Sequence, residues 1–262
     1  MHYELLENIA QQNALRELNP YVKLVVGLGA IVLALISTSF ITPLFLAVTL
    51  SITLLLVARI DARLYLHLLT APLVFAIVSV AAVIFITGGG EVFWSWQPAS
   101  FLSFSVTSHS INEGLLVFCR VLGGMSALFF ISLTTPMTEL FIVMRQSRIP
   151  PVIIDLAMFI YRSIFLLMDQ VDQIRNAQLM RLGYSSPGEA IRSFGNLCGS
   201  VFIASWDAGE DLIRAMDARC YDGRFAMLDQ CCPPDGKTLC IAVTYLACSA
   251  VLLIMTSSIT LV

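Results

Sequence analysis

The sequence predicts an all-α integral membrane protein, and three observations lead to this fold class. Of the 262 residues, 58% are hydrophobic and 13% are charged, whereas soluble domains average about 45–50% apolar and about 25% charged residues. The apolar residues form runs close to the length of about 20 residues that a helix needs to cross a bilayer. One polar block interrupts them late in the chain. We therefore expect about five transmembrane helices, with long cytoplasmic helices between the fourth and the fifth.

The first two predicted spans follow a polar lead, residues 1–20, in which charged and apolar side chains alternate as on a surface helix. The lead ends at Asn19-Pro20, because a residue before proline disfavours the helical region. Two apolar runs follow, 22–36 and 40–57, separated by Ser37-Thr38-Ser39. Two closely spaced helices fit this pattern better than one long helix.

The third and fourth predicted spans, 68–86 and 114–133, flank a predicted loop over residues 87–112. The loop contains Trp94, Trp96 and Phe101, and tryptophans in such a position are typical of interface anchors. The fourth span carries Arg120. Two hypotheses stay open for this side chain: it pairs with a carboxylate in a complex, or it extends along the helix to the membrane surface.

The polar block begins with Thr135-Pro136, where threonine is a good N-cap and proline suits the first helical position. The segment 152–168 is apolar enough to span a membrane. However, Asp155, Arg162 and Asp169 recur every seven residues and so share one helical face. A charge at mid-bilayer costs at least about 2.5–3.5 kcal/mol. An amphipathic helix under the membrane therefore fits better, and a position within the membrane remains the alternative.

A second long helix is predicted from the capping box at Ser186 and Glu189 to about Ala218. Apolar residues recur along it at spacings of three and four, and small residues leave room for a second helix to approach. Its length would be roughly 45–50 Å. A turn-rich link, residues 231–237, leads to the final span, 239–261.

Basic residues predict the orientation of these segments. They precede span one, lie between spans two and three, and are numerous between spans four and five, whereas the other three connections and ends have none. The positive-inside rule then places the N-terminus in the cytoplasm and the C-terminus outside. We expect a membrane domain over 1–133, a cytoplasmic region over 134–237 and a final transmembrane helix over 238–262.

Several kinds of chemistry are not expected. The sequence contains no P-loop, no zinc-protease motif and no nucleophile elbow, so we predict neither an enzyme nor an ATP-binding chain. A net charge of −3 gives no indication of a nucleic-acid partner. We expect no metal site: His2 is treated as incidental, and the cysteines, including Cys231-Cys232, as free thiols. A stand-alone carrier remains an alternative, although Arg120 is the one ionisable residue well inside a predicted span.

Two similar endings occur within the polar block, at residues 177–184 and 215–223. Each places an arginine, Arg181 or Arg219, at the end of a predicted helix, followed by an aromatic residue and a glycine. Helix termination alone would explain them, because glycine supplies a left-handed cap and arginine complements the helix dipole. The pair also suggests docking, since a guanidinium binds carboxylates with defined geometry.

Several motifs carry a resemblance to a known family. They are Leu18-Asn19-Pro20-Tyr21-Val22-Lys23 before span one, Thr134-Thr135-Pro136 with Ile149-Pro150, and the two arginine endings, of which 215–224 is the most specific. The chain resembles the transmembrane T component of energy-coupling factor transporters, in the cobalt-type CbiQ branch. It departs from the family pattern at Cys220, where glycine is usual, and a positive φ there would be strained. Met180 and Leu182 also stand where alanine and glycine are common.

The resemblance implies a non-catalytic coupling subunit of an ATP-driven importer in the plasma (inner) membrane. Its implied partners are two CbiO-like ABC ATPase subunits, a CbiM-like substrate-binding membrane subunit, a small accessory membrane subunit and the lipid bilayer. ATP and Mg would be used by the ATPase, and this chain would bind no cofactor. The implied docking residues are Arg181, Gly183, Ala218, Arg219 and Cys220. Phe194, Val201 and Phe202 are expected to contact the substrate-binding subunit. Cobalt is the expected substrate, and nickel or a vitamin remains an alternative.

Overall fold

The computed structural model describes residues 13, 15, 18–86, 92–99, 102–147, 149–221 and 236–256. The predicted lead helix falls mostly outside the described residues. So do His2, Phe101, Arg148, Cys231, Cys232 and the end of the second arginine motif, residues 222–224. No side-chain contacts are described for 92–99 and 102–109.

The chain is predominantly helical, as predicted. The described helices are α1 (Pro20–Ile36), α2 (Ile41–Ile52) continued by a π-helical turn (Thr53–Val57), α3 (Ala62–Ile86), α4 (Ser108–Thr134), α5 (Met137–Gln146), α6 (Pro151–Met180), α7 (Pro187–Ala218) and α8 (Gly236–Thr256). The separation of the first apolar stretch into two helices is confirmed. Asn19 caps α1 by accepting a hydrogen bond from the Tyr21 amide at 3.0 Å, with Pro20 at the first helical position.

The segment predicted as a loop between the third and fourth spans contains a β-hairpin. Strand β1 (Val92–Ala99) pairs antiparallel with β2 (Leu102–Thr107), so that Trp94 lies opposite Val106 and Trp96 opposite Phe104. Aromatic and β-branched residues at alternate positions favour a strand, and their cross-strand pairing is the unit of sheet stabilisation. The tryptophans were recognised in the sequence, but their spacing of two was not read as a strand.

The chain divides into two compact units: Met1–Leu140 together with Cys231–Val262, and Phe141–Gln230. In the first unit, α4 packs against α1, α2 and α3, and α8 packs against α1 and α2. Close approach requires small residues. A Cβ added at Gly123 of α4 would lie 2.8 Å from the carbonyl oxygen of Pro43 in α2. The buried core of this unit includes Ala30, Ala34, Leu46, Leu50, Leu54, Ala127 and Leu133.

Four described helical segments are long and apolar enough to cross a membrane, by length and composition: Ala62–Ile84, Ser110–Thr134, Pro151–Met180 and Gly236–Thr256. Helix α1 and the stretch Ile41–Val57 are apolar but shorter. Apolar side chains face outward on these helices; Leu35 is 65% and Phe75 70% exposed. An integral membrane protein is therefore confirmed, whereas the count of five spans and the cytoplasmic position of 152–168 stay predictions.

The second unit consists of the end of α5 together with α6 and α7, and α6 packs against α7. The Phe141 ring meets the Tyr161 ring edge-on, with 5.8 Å between their centroids. Helix α7 has the predicted bounds and the predicted N-cap, since Ser186 Oγ accepts a bond from the Glu189 amide at 3.4 Å. Its 32 residues give a length of roughly 48 Å.

Candidate functional site

The first arginine ending forms a Schellman motif at the end of α6. Arg181 is the C-cap residue, with φ −95° and ψ 14°, and Leu182 adopts a left-handed φ of 57°. The Gly183 amide donates to the Gln178 carbonyl at 2.9 Å, and the Leu182 amide donates to the Leu179 carbonyl at 3.0 Å. These are the two hydrogen bonds that define the motif.

The second arginine ending has the same backbone. Arg219 caps α7 with φ −99° and ψ 13°, and Cys220 adopts φ 53°. The Tyr221 amide donates to the Met216 carbonyl and the Cys220 amide to the Asp217 carbonyl, both at 3.1 Å. The two endings therefore match residue for residue, with the arginine at the C-cap and a non-glycine residue in the left-handed position.

The glycine of the first ending is not the left-handed cap, so that part of the prediction was wrong. Leu182 takes the cap position, and Gly183 follows it. A Cβ at Gly183 would lie 2.6 Å from Ser193 Oγ and 3.1 Å from the Gln178 carbonyl oxygen. Glycine is favoured here by the close approach of α7 to the turn, and not by a left-handed backbone angle. Cys220 does adopt a positive φ, of 53°, and such a conformation costs a residue with a Cβ roughly 1–2 kcal/mol.

A group of hydrogen bonds that the sequence did not reveal holds the first ending to α7. Ser193 Oγ donates to the Gly183 carbonyl at 2.7 Å, and Gln178 Nε2 donates to the Ser193 carbonyl at 3.0 Å. Tyr184 completes the group by donating from its hydroxyl to Gln178 Oε1 at 2.8 Å. The turn between α6 and α7 is therefore fixed by side chains from both helices.

Both arginine side chains are exposed, and neither makes a hydrogen bond or an ion pair with the residues that the structure describes. Arg214, one turn before the end of α7, differs because it pairs with Glu210 at 2.8 Å and with Asp211 at 3.5 Å. An exposed guanidinium at a fixed helix end is suited to a bidentate bond with a carboxylate or a phosphate. Ala218 and Cys220 are also exposed, whereas Gly183 is half-buried.

The predicted contact residues on α7 lie on a largely exposed apolar surface. Phe194 is 61% and Phe202 67% exposed, and Val201 is half-buried. Leu197 is the buried residue of this helix. The three charged residues on the predicted polar face of α6 differ in solvent exposure. Asp155 is buried, whereas Arg162 and Asp169 are exposed. The polar stripe of α6 is therefore not a uniformly solvated face.

In the first unit, two of the recognised sequence motifs are bonded to each other. Lys23 Nζ donates to the Thr134 carbonyl at 3.0 Å and pairs with Glu139 Oε2 at 3.3 Å. The expected capping role of Thr135 is not observed: α5 begins at Met137, and Thr135 Oγ1 is buried without a hydrogen-bond partner in the described part of the chain. Both motifs are visible in the sequence, but nothing in it indicates that they contact each other.

Arg120 does not extend along its helix to the membrane surface, and its pairing with a carboxylate of a partner stays a prediction. Its Nε and Nη2 atoms both donate to the carbonyl oxygen of Ser37, at 3.1 and 2.6 Å. Ser37 is the C-cap residue of α1, and a cation at a helix C-terminus complements the helix dipole. Arg120 is therefore a structural cap that ties α4 to the end of α1.

A cavity of about 450 Å³ lies in the first unit, between α1, α2, α4 and α8. Its polar side chains include Lys23, Thr49, Thr53 and Tyr245, and the Thr49 and Tyr245 hydroxyls are 2.7 Å apart. Divalent transition metals bind to imidazole, thiolate or carboxylate ligands, and none of these groups lines this cavity. The described residues also contain no cluster of three or more histidine, cysteine or acidic side chains suited to a metal ion.

Comparisons with known proteins agree on one family. A family model described as CbiQ, cobalt transport protein, matches residues 11–227. A putative fused cobalt transport protein CbiMQ from Methanocorpusculum labreanum is 39% identical over 86% of this chain, which spans 38% of that relative's length. An uncharacterized protein from Methanocaldococcus jannaschii is 36% identical, with 87% of this chain and 84% of the relative covered. An energy-coupling factor transporter transmembrane protein, EcfT, from Limosilactobacillus fermentum is 25% identical over 80% of each chain.

Proposed function

The chain belongs to the CbiQ family of cobalt transport proteins, and from this premise we propose that it is the transmembrane coupling subunit of an energy-coupling factor importer for cobalt. In this role it carries no catalytic group. It transmits the ATP-driven motion of two ATPase subunits to a separate membrane subunit that binds the substrate. Cobalt is the cargo of the complex and not a ligand held by this chain.

The observation that carries this proposal is the repeated arginine ending. Two long helices, α6 and α7, each end in a Schellman motif that presents an exposed arginine without a partner among the described residues. A helix end that docks in a groove is a recurrent mode of protein recognition. Two equivalent ends suit two copies of one partner, and a dimeric ATPase offers two equivalent grooves. Arg181 and Arg219 would each pair with a carboxylate there, flanked by Gly183, Ala218 and Cys220.

The proposed topology has five spans, with the N-terminus in the cytoplasm and the complex in the plasma (inner) membrane. Residues 1–133 and 238–262 would form the membrane domain, and 134–237 the cytoplasmic coupling region. Helix α6 is apolar enough to cross a bilayer. A crossing at 152–168 would, however, reverse the side on which the arginines from Arg175 to Arg219 lie. That arrangement would violate the positive-inside rule.

The apolar surface of α7 suits a partner that is itself a membrane protein. Phe194 and Phe202 are more than half exposed, and contiguous exposed apolar side chains mark interaction sites. The proposed partner is a CbiM-like substrate-binding subunit, with a small accessory membrane subunit beside it. One relative's name describes a fused CbiMQ chain, which supports the idea that the two proteins act together.

The mechanism follows from this arrangement of partners. ATP and Mg would bind to the CbiO-like ATPase subunits, whose closure would displace the ends of α6 and α7. Helices are stiff, so a displacement at Arg181 or Arg219 would be carried along α6 or α7. The substrate-binding subunit, seated on α7, would then change its orientation and release cobalt on the cytoplasmic side.

Reconstitution of the complex in liposomes tests this function. The chain is expressed with its companion ATPase and substrate-binding subunit, and uptake of radioactive cobalt is measured with ATP inside or outside the vesicles. We expect uptake that requires ATP and all of the subunits. Competition with nickel identifies the substrate. Cobalt uptake by this chain alone would contradict the proposal and favour a stand-alone carrier.

A further inference from the structure

Lys23 is 2% exposed, although its ammonium group carries a charge. It lies in the first turn of α1 and makes two polar contacts, one with the Thr134 carbonyl at 3.0 Å and one with Glu139 Oε2 at 3.3 Å. Glu139 is separated from it by 116 residues in the sequence. A buried charge is tolerated only when it is paired and hydrogen-bonded, so these two contacts fix the position of the side chain.

The two acceptors of Lys23 lie on either side of one junction. Thr134 is the last residue of α4, and Glu139 is in the first turn of α5. Asn13 adds a further contact, since its Nδ2 donates to the Leu133 carbonyl at 2.8 Å. The junction between α4 and α5 is therefore held to the beginning of α1 and to the residues just before it.

This junction lies directly before the chain leaves the first unit. The boundary between the units falls between Leu140 and Phe141, within α5. Glu139 is therefore almost the last residue of the first unit on this side. Along the chain, Glu139 therefore lies between the second unit and the end of α4 at Thr134.

Stability alone does not account for an ion pair in this place. Replacement of a buried ion pair by apolar residues of similar volume is often neutral or stabilising. The pair specifies one arrangement of the junction, because a single ammonium group contacts one carboxylate and one helix-end carbonyl at defined positions. An apolar contact would fill the same space but would allow α1 to shift relative to the junction between α4 and α5.

We propose that Lys23 and Glu139 are positioning residues for energy coupling. They hold the junction between α4 and α5 rigid, so that movement of α5 is passed to α1 and is not absorbed at Thr135-Pro136. This role rests on the proposed function as a coupling subunit. Loss of the pair should leave ATP hydrolysis by the complex in place and should reduce the transport that each hydrolysed ATP supports.

The test uses the complete reconstituted complex and measures cobalt taken up per ATP hydrolysed. Each variant is first purified as the intact monodisperse complex, so that misfolded chain contributes neither uptake nor ATP hydrolysis to the ratio. The variants are Lys23→Met and Glu139→Gln. The matched control is Arg120→Met, which removes a cation that also binds a helix-end carbonyl in the first unit, that of Ser37, but lies away from this junction.

We expect the ratio to fall at least about fivefold in both variants, the lower end of typical coupling between sites, and to stay unchanged in Arg120→Met. Lys23→Met/Glu139→Met removes both charges, so it should fold even if a single variant does not, and its ratio should also be low. A wild-type ratio in Lys23→Met/Glu139→Met, or an equal fall in Arg120→Met, would overturn the positioning role. Absence of ATP-dependent uptake in the wild-type complex would overturn the proposed function instead, and this role with it.

Discussion

The two arginine endings of the second unit share one backbone, and the structure describes what holds the first of them to α7. Arg181 and Arg219 both occupy a C-cap, and both precede a left-handed residue that is not glycine. The first ending is also held by bonds from Gln178, Ser193 and Tyr184. At the second ending the structure describes the chain up to Tyr221 and again from Gly236.

The first ending allows a repeated feature to be told from a local one. The Schellman backbone and the exposed arginine are present at both ends, as expected if both bind the same kind of partner. The contacts around Gly183 occur where α6 turns into α7, so they serve the turn. Substitutions at Gly183 and at the two left-handed residues test whether the turn contacts are independent of the shared Schellman backbone. Substitutions of the arginines test the docking role.

The largest effect on stability is expected from Gly183→Ala, which concerns the first ending alone. The added Cβ would lie 2.6 Å from Ser193 Oγ and 3.1 Å from the Gln178 carbonyl oxygen. Overpacking of this kind costs about 1–3 kcal/mol. We expect a corresponding loss of amide hydrogen-exchange protection in the turn between α6 and α7.

Gly195→Ala is the matched control, because a Cβ at Gly195 on the same helix meets nothing within 4 Å. It should be neutral or slightly stabilising, since alanine favours a helix more than glycine does. Ser193→Ala combined with Gly183→Ala should recover part of the loss. Equal effects of Gly183→Ala and Gly195→Ala would show that close packing is not the reason for the glycine.

A smaller effect of the opposite sign is expected at the position that both endings share. Leu182 and Cys220 have φ values of 57° and 53°, which cost a residue with a Cβ roughly 1–2 kcal/mol. Leu182 is 72% exposed, so little packing is lost on truncation. Leu182→Gly and Cys220→Gly should each stabilise the chain by up to about 1 kcal/mol, because part of the gain is lost to the greater freedom of unfolded glycine.

Thermal unfolding in detergent measures this gain. Leu179→Gly, in the last turn of α6, is the control and should destabilise the helix by up to about 1 kcal/mol. ATPase binding should be unchanged in Leu182→Gly, because Arg181 keeps its position. Stabilisation at one ending and not at the other would break the equivalence of the two.

Local signals in the sequence predicted much of the second unit. The bounds of α7 follow from the Ser186 cap and from the apolar spacing. The place of Cys220 after Arg219 is compatible with a left-handed φ but does not predict it. The first ending was harder, because Leu182 and Gly183 both stand where a left-handed cap is possible. A glycine near a helix end indicates this cap, yet here tertiary packing explains the glycine.

Contacts between distant residues could not be predicted in this way. Lys23 and Glu139 are 116 residues apart, and Arg120 and Ser37 are 83 apart. Each of these residues is an ordinary residue type at its position. The sequence around it does not indicate which distant residue it contacts. The hairpin of β1 and β2 was missed for another reason. Its alternating aromatic residues were interpreted by composition as membrane anchors and not by their period of two.

Binding of the companion ATPase to variants of the two arginines tests the central claim most directly. Arg181→Glu and Arg219→Glu each replace a cation that is expected to meet a carboxylate, and Arg175→Glu, also exposed on α6, is the matched control. Loss of a buried charge pair at an interface costs about 2–5 kcal/mol. We therefore predict that ATPase affinity falls at least about tenfold in each of the two variants and is unchanged in Arg175→Glu. Wild-type affinity in both variants would contradict the docking role of these helix ends.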